Sequence, residues 1–245
     1  RVGVIDIGSN SVRLVIYDAL KRVPIPIFNE KALCGLARGL EETGYLNRHG
    51  VAMAHRSLTR FSHIASALGV SELYVLATAA VRDASDGSAF VADVQRLHGL
   101  QVRIVSGNDE ATFAALGVAS SIYRADGVIV DLGGGSLEIA EVSNGEIREC
   151  RSFPIGLLRL SPHAEDRNKL VEIIDGCLKD TDIIKQLEGR NFYTVGGSFR
   201  SLAKLHIAKS HYPINIVHHY TISAASFQKM VHGIAKMHPN DLEDM

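Results

Sequence analysis

One stretch of this chain occurs twice, and that repeat constrains the fold more than any other feature. Val4-Ile5-Asp6-Ile7-Gly8-Ser9-Asn10-Ser11-Val12-Arg13-Leu14 aligns without gaps on Ile129-Val130-Asp131-Leu132-Gly133-Gly134-Gly135-Ser136-Leu137-Glu138-Ile139. Asp, Gly and the closing Ser are identical, and five further positions exchange one aliphatic residue for another. Each copy is an apolar run carrying an Asp, a turn of small residues and a returning run. That pattern reads as two strands joined by a tight turn. Asp6 and Asp131 are 125 residues apart, about the length of one small domain. Two α/β lobes of like topology are therefore expected, over about residues 1–118 and 119–245, each opening on its own copy of the turn.

The rest of the chain fits that plan. Strands are predicted over Val2 to Gly8, Val12 to Asp18 and Ile25 to Ala32. Val51, Ala54, Leu58, Phe61, Ala65 and Leu68 then step by three or four, which marks an amphipathic helix. A strand at Glu72 to Ala77, a helix at Ser88 to Leu97 and a short strand at Gln101 to Val105 follow. Ser106 with Asp109 three residues on has the pattern of a capping box. The order then restarts. Strands are predicted at Gly127 to Leu132, at Leu137 to Val142 and, after an Asn144-Gly145 hairpin signal, through Phe153. One long helix is predicted from Leu170 to Leu187, a strand at Phe192 to Val195, and a helix from Phe199 to Ala208. His218-His219 is read as a pair on a strand, pointing to opposite faces and structural in role.

Composition limits the function classes. Lys+Arg 26 against Asp+Glu 27 gives a net charge of −1, so no global field draws the chain to nucleic acid or an anionic membrane. A polyanion must be held by a local cluster. Cys34, Cys150 and Cys177 are three widely spaced residues without a Cys-x-x-Cys. They suggest neither a disulfide framework nor a thiolate zinc site, and fit a reducing compartment, the cytoplasm. No run approaches the ~18 apolar residues of a membrane span. The chain starts at Arg1, already entering a strand, so a targeting segment would precede this numbering.

The chemistry is concentrated in the turns. Gly8-Ser9-Asn10-Ser11 and Gly133-Gly134-Gly135-Ser136 let backbone N–H groups approach a ligand and form concave anion sites. Facing one another, they would cradle a row of phosphates, with Asp6 and Asp131 able to hold a hard cation beside it. Taken singly, each is equally a hairpin whose glycines ease the turn. Gly196-Gly197-Ser198 and Thr78-Ala79-Ala80-Val81-Arg82 each follow a strand and open a helix, a further place for an anion. Arg82 can bond phosphate oxygens in pairs, although an Arg in a loop is commonly a solvated surface residue. The Walker-type, dinucleotide-binding, nucleophile-elbow and zinc-protease motifs are missing from these 245 residues, and none of the 11 histidines precedes an Asp.

Together these segments resemble the exopolyphosphatase and guanosine pentaphosphate phosphohydrolase family of the actin-like, sugar-kinase and Hsp70 superfamily. The residues that carry the resemblance are Asp6 to Leu14, Ala77-Thr78-Ala79-Ala80-Val81-Arg82-Asp83-Ala84, Ser106-Gly107-Asn108-Asp109-Glu110-Ala111, Asp131 to Glu138 and Val195-Gly196-Gly197-Ser198. The resemblance implies two ribonuclease-H-like lobes around a cleft, and hydrolysis of phosphoanhydrides in inorganic polyphosphate, in guanosine pentaphosphate (to the tetraphosphate), or in both. It makes Glu110 the base that activates water and Asp131 and Glu138 the carboxylates associated with Mg²⁺ or another divalent ion. Arg13 is expected to engage phosphate oxygens, sharing the cleft with Glu138. Many relatives carry Arg where Gly35 stands, and the family's chains continue beyond the point reached at Met245 to finish the second lobe. A homodimer is compatible with the resemblance. An actin-like or sugar-kinase ATPase and a non-catalytic alarmone sensor are the alternative readings of the same cleft.

Overall fold

Alternation builds the first sheet of this computed structural model, which describes residues 1–179, 181–183 and 189–237. Val12, Leu14 and Ile16 are fully buried on one face of their strand, while Arg13 and Val15 stay half-buried on the other. The strands are β1 (Val2–Ile7), β2 (Ser11–Tyr17) and β3 (Pro26–Leu33), followed by α1 (Leu40–Thr43) and α2 (Arg48–Ala67). Asn47 starts α2, its side-chain oxygen accepting from the Gly50 N–H at 2.9 Å. Ala54, Leu58, Phe61 and Ala65, on one face of α2, are buried, and Leu58 and Phe61 join the core formed with Ile5, Leu14 and Ile16. Each such side chain contributes roughly 1.5–3 kcal/mol by leaving water. Next come β4 (Glu72–Ala77), α3 (Ala79–Asp83), α4 (Gly87–His98) and β5 (Val102–Ile104). The sheet order is β3-β2-β1-β4-β5, with β1 antiparallel to β2 and parallel to β4.

The capping box is present at the start of α5 (Gly107–Ser121). The Asp109 N–H donates to Ser106 Oγ and the Ser106 N–H to Asp109 Oδ2, each at 3.1 Å. The second sheet comprises β6 (Gly127–Leu132), β7 (Leu137–Ser143), β8 (Glu146–Phe153) and β9 (Asn191–Val195) in the order β8-β7-β6-β9. Apart from β5, this is the strand order of the first sheet. Asn144 and Gly145 both have positive φ (52° and 83°), as the hairpin signal requires. Between β8 and β9 lie α6 (Leu157–Leu160) and α7 (Arg167–Leu178); α8 (Gly197–Lys209) and α9 (Ala224–Ile234) follow β9. α5 packs across β6, β7 and β8.

Two expectations are corrected. The helix predicted from Leu170 to Leu187 ends at Leu178. Beyond it Thr181 Oγ1 accepts from the Ile183 N–H at 3.3 Å, a local bond that competes with helix continuation, and Ile183 is fully buried; Ile184 and Leu187 lie outside the described residues. His218 and His219 are in a turn, with His219 at φ 62°. Their rings stack, centroids 4.0 Å apart, instead of facing opposite sides of a strand.

By contacts the chain forms two compact units, Arg1–Thr194 and Val195–Met245. Both sheets fall within the first, except for Val195, the last residue of β9. Among the described residues no helix is long and apolar enough to cross a membrane.

Candidate active site

The two copies of the repeat have the same local geometry. In each, the first glycine N–H donates to the closing serine carbonyl at 2.9 Å, Gly8 to Ser11 and Gly133 to Ser136. Across the strands that flank the turns, Asp6 is opposite Arg13 and Asp131 is opposite Glu138. The third strand extends each row, with Lys31 beside Arg13 and Ser152 beside Glu138. Residues directly opposite in antiparallel strands share a face. One row is therefore Asp6, Arg13 and Lys31, and its counterpart is Asp131, Glu138 and Ser152.

The turns face each other and touch. A Cβ on Gly135 would lie 2.5 Å from Ser9 Oγ and 2.9 Å from Ala79 Cβ, and one on Gly134 would lie 3.2 Å from Ser9 Cβ. Ser9 and Ser136 are buried, Ser9 and Asn10 being tied to the next segment by backbone bonds from Ala37, Cys34 and Gly35. Beside the contact opens a pocket of about 340 Å³ lined by Arg82, Asp83, Ser106 to Asn108, Gly135, Ser136 and Ser152. The amino end of α5 reaches this pocket because position 107 has no side chain. A Cβ on Gly107 would sit 2.4 Å from Ser152 Cβ.

Glu110 lies in the first turn of α5. Its Oε1 accepts from Arg82 Nη1 at 2.5 Å, and the same nitrogen donates to the Val105 carbonyl at 3.0 Å. Loss of water and the neighbouring Glu138 charge push the Glu110 carboxyl up to about 7, against the pull of Arg82. Burial opposes the Arg82 charge, but the pairs with Glu110 and Asp83 outweigh it and hold the guanidinium above its ordinary pKa. Glu138 is buried, and its carboxyl is also raised by loss of water, with Asp131 adding and the hydroxyls of Ser136 and Ser152 opposing. The Ser152 bond to Glu138 Oε1 measures 2.9 Å. Asp6 is an exposed residue, yet the protein around it withdraws enough water to push its carboxyl up to about 6. Arg13 and Lys31 pull that value down and Asp131 pushes it up. Arg13 Nε donates to Asn29 Oδ1 at 2.8 Å. Four carboxylates thus act on one another beside a pocket lined by the amino end of α5 and the second glycine turn.

A sequence model of the Ppx/GppA phosphatase family matches residues 4–243. The chain belongs to the Ppx/GppA phosphatase family. Exopolyphosphatase 1 of Mycobacterium tuberculosis is 33% identical over 218 residues, covering 84% of this chain. The chain spans 63% of the length of that relative. A crystal structure of an exopolyphosphatase from Cytophaga hutchinsonii superposes with a TM-score of 0.88 at 24% identity, covering 98% of this chain and 81% of that one. An Aquifex aeolicus Ppx/GppA family member gives a TM-score of 0.77 at 26% identity, covering 96% of this chain and 79% of that one. The mixed α/β fold with two sheets is that of the actin-like, two-lobe Ppx/GppA structures.

Within this Ppx/GppA chain, most of the residues singled out from sequence occur together in the first unit. Gly196, Gly197 and Ser198 belong at the start of the second unit, where Gly196 has φ 96° ahead of α8. Gly35 has φ +68°, and Arg38 lies across it, with Nε 2.6 Å from where a Cβ would stand. Arg38 therefore occupies the space an arginine at 35 would need. Sequence reasoning gave no role to Asn29, Lys31, Asp83, Ser152 and Arg159. Lys31 and Ser152 become neighbours of the site only through strand pairing, whereas Asp83 was legible as the residue adjoining Arg82. Gly156, so close after Pro154, was the available signal for the segment that carries Arg159.

Proposed function

We propose that this chain forms the catalytic part of a phosphoanhydride hydrolase that releases terminal phosphate from inorganic polyphosphate, converts guanosine pentaphosphate to the tetraphosphate, or does both. Glu110 carries the reading: a carboxyl raised to about 7 and oriented by Arg82 beside a pocket of backbone donors. In this scheme water attacks the terminal phosphorus, Glu110 takes the water's proton, and the bridging P–O bond breaks, its electron pair staying on the bridging oxygen of the shortened chain as orthophosphate is released. Arg82, Arg13 and the N–H groups of Gly8 to Ser11 and Gly133 to Ser136 receive the phosphate charge; Gly196, Gly197 and Ser198, at the start of the second unit, are taken by themselves as a further phosphate-binding turn. By topology, lobes at about residues 1–118 and 119–245 belong to the same proposal, with Glu110 supplied by the helix that packs on the second sheet. The reading is supported by membership of a phosphatase family and by the mycobacterial relative's name.

Asp131 and Glu138 are the residues that would hold a divalent cation, with Asp6 the secondary candidate, Mg²⁺ fitting best. Among the described residues no three His, Cys, Asp or Glu side chains gather closely enough to enclose a metal ion. Mg²⁺ suits such a set, because it takes one or two carboxylates and completes its shell with water and substrate phosphates. The mutual repulsion of these carboxylates also gives a cation something to relieve. When bound it would supply charge neutralisation to the phosphate oxygens.

Phosphate release from polyphosphate, guanosine pentaphosphate and ATP, each with and without Mg²⁺, tests the reading on the intact protein. Turnover of ATP alone would favour the kinase-like ATPase, and tight binding of the guanosine phosphates without turnover would favour the sensor. The two rows of residues predict a division of labour. Arg13→Ala should raise KM by about 10-fold or more, the worth of a charge-assisted bond, and leave the Mg²⁺ dependence in place. Arg13→Lys should recover little, since an ammonium lacks the paired contact. Asp131→Ala and Glu138→Ala should instead raise the Mg²⁺ concentration needed for half-maximal rate. Identical Mg²⁺ curves and KM values for the Arg13 and Glu138 variants would end this assignment.

A further inference from the structure

The glycine loop of the second sheet is held from behind by the segment that follows β8. The Leu157 N–H donates to the Gly133 carbonyl at 3.1 Å, the Leu158 N–H to Gly134 at 2.8 Å, and Arg159 Nε to Gly135 at 2.6 Å. Peptide bonds here are trans, so each carbonyl and the N–H that follows it point opposite ways. Tying three successive carbonyls on one side turns the N–H groups of Gly134, Gly135 and Ser136 to the other, as an anion-binding concavity requires. The segment can come this close only at Gly156, where a Cβ would lie 2.4 Å from the Gly134 carbonyl oxygen. Two of the three holds are backbone bonds. Only the third is a side chain.

The other nitrogens of Arg159 pair with Glu41 and with Asp83. Asp83 also accepts from Arg82 Nε at 3.2 Å, and Arg82 bonds Glu110 at 2.5 Å. A continuous line of charge-assisted bonds therefore runs from the Gly135 carbonyl through Arg159, Asp83 and Arg82 to Glu110. The Arg159 side chain is only 19% exposed, against 35% for Asp83 and 46% for Glu41, so of its two ion pairs the one with Asp83 is the less screened. Lysine could not reproduce them, because one ammonium lacks the planar fork that meets a carbonyl and two carboxylates at once.

We propose that Arg159 is a positioning residue that holds the glycine-loop donors toward the terminal phosphate and, through Asp83, keeps Arg82 against Glu110. As an account of catalysis this rests on the phosphoanhydride reading above, whereas the loop-positioning part is tested by binding alone. The experiment is calorimetric binding of inorganic tripolyphosphate, with steady-state phosphate release from polyphosphate, on the intact protein. Arg159→Met, Arg159→Lys and Glu41→Gln are compared with wild type. Arg159→Met should raise both the tripolyphosphate Kd and KM by about 10-fold or more, and kcat should fall as well, since Asp83 is freed to draw Arg82 away. Arg159→Lys should recover only part of the binding, and it decides the matter if Arg159→Met does not fold. Glu41→Gln leaves the Gly135 and Asp83 bonds intact and should keep Kd within about twofold of wild type. Wild-type Kd and KM in a folded Arg159 variant would overturn the proposal. So would an equal loss in Glu41→Gln, which would make Arg159 a plain tie between two walls. If wild type binds tripolyphosphate but releases no phosphate, the phosphoanhydride reading fails while the binding comparison still decides Arg159; if it binds none, both fail.

Discussion

Glu110→Gln should lower turnover by at least ~10²-fold while changing tripolyphosphate binding little, because the amide keeps the shape and the Arg82 contact but cannot take a proton. In wild type the carboxyl must be ionised to act as a base. Its position at about 7 makes kcat/KM fall about tenfold for each pH unit below that value. The same group has a stability signature. Folding raises its pKa from an ordinary 4.5 to about 7, so the folded state is favoured by protonation. That contribution is complete below pH 4.5 and is lost as the pH rises through 7. Removing the charge should therefore stabilise the variant at pH 8 by on the order of 3 kcal/mol relative to wild type, the difference vanishing toward pH 4.5. Melting curves at both pH values measure it. A variant that turns over normally would move the base elsewhere, and one that loses binding together with turnover would make Glu110 a ligand-holding residue.

Gly156→Ala should cost at least ~10²-fold in kcat/KM in protein that still folds, the loss typical of a displacement near 1 Å in a positioned group. A Cβ there would meet the Gly134 oxygen and the Gly135 carbon at 2.4 Å and the Gly134 carbon at 2.5 Å, all backbone atoms. No rotamer change relieves such contacts, so the loop itself must retreat. Gly176→Ala, within α7 and with nothing inside 4 Å of the added methyl, is the control. It should leave the kinetics unchanged and raise stability by roughly 0.5–1 kcal/mol, the usual gain in a helix interior. Near-wild-type kcat/KM in Gly156→Ala would mean that the Gly133–Ser136 turn does not bind the reacting phosphate.

What the sequence determined by itself was local or repetitive. Period two over Val12 to Ile16, the three-and-four spacing from Ala54 to Ala65, and the Ser106–Asp109 box are each complete within a short window, and the structure has them where the pattern puts them. The repeat reached further. It put Asp6 against Asp131 and Arg13 against Glu138 in alignment, and both pairs occupy equivalent cross-strand positions in their sheets. Apolar spacing failed after Leu178, because a threonine hydroxyl can bond nearby backbone and a buried Ile183 satisfies a tertiary contact as well as a helical one. Tertiary structure alone decided the electrostatics and the bracing of the site. Glu110 has an unremarkable place in a helical first turn. Burial, Glu138 and Arg82 together make its carboxyl titrate near neutrality. Arg159 is one arginine among many until the chain folds back and lays it against Gly135, Asp83 and Glu41. The physical reason is range. Propensity, capping and alternation act over a few residues, whereas desolvation and ion pairing depend on groups that the sequence holds far apart and only packing brings within a few ångströms.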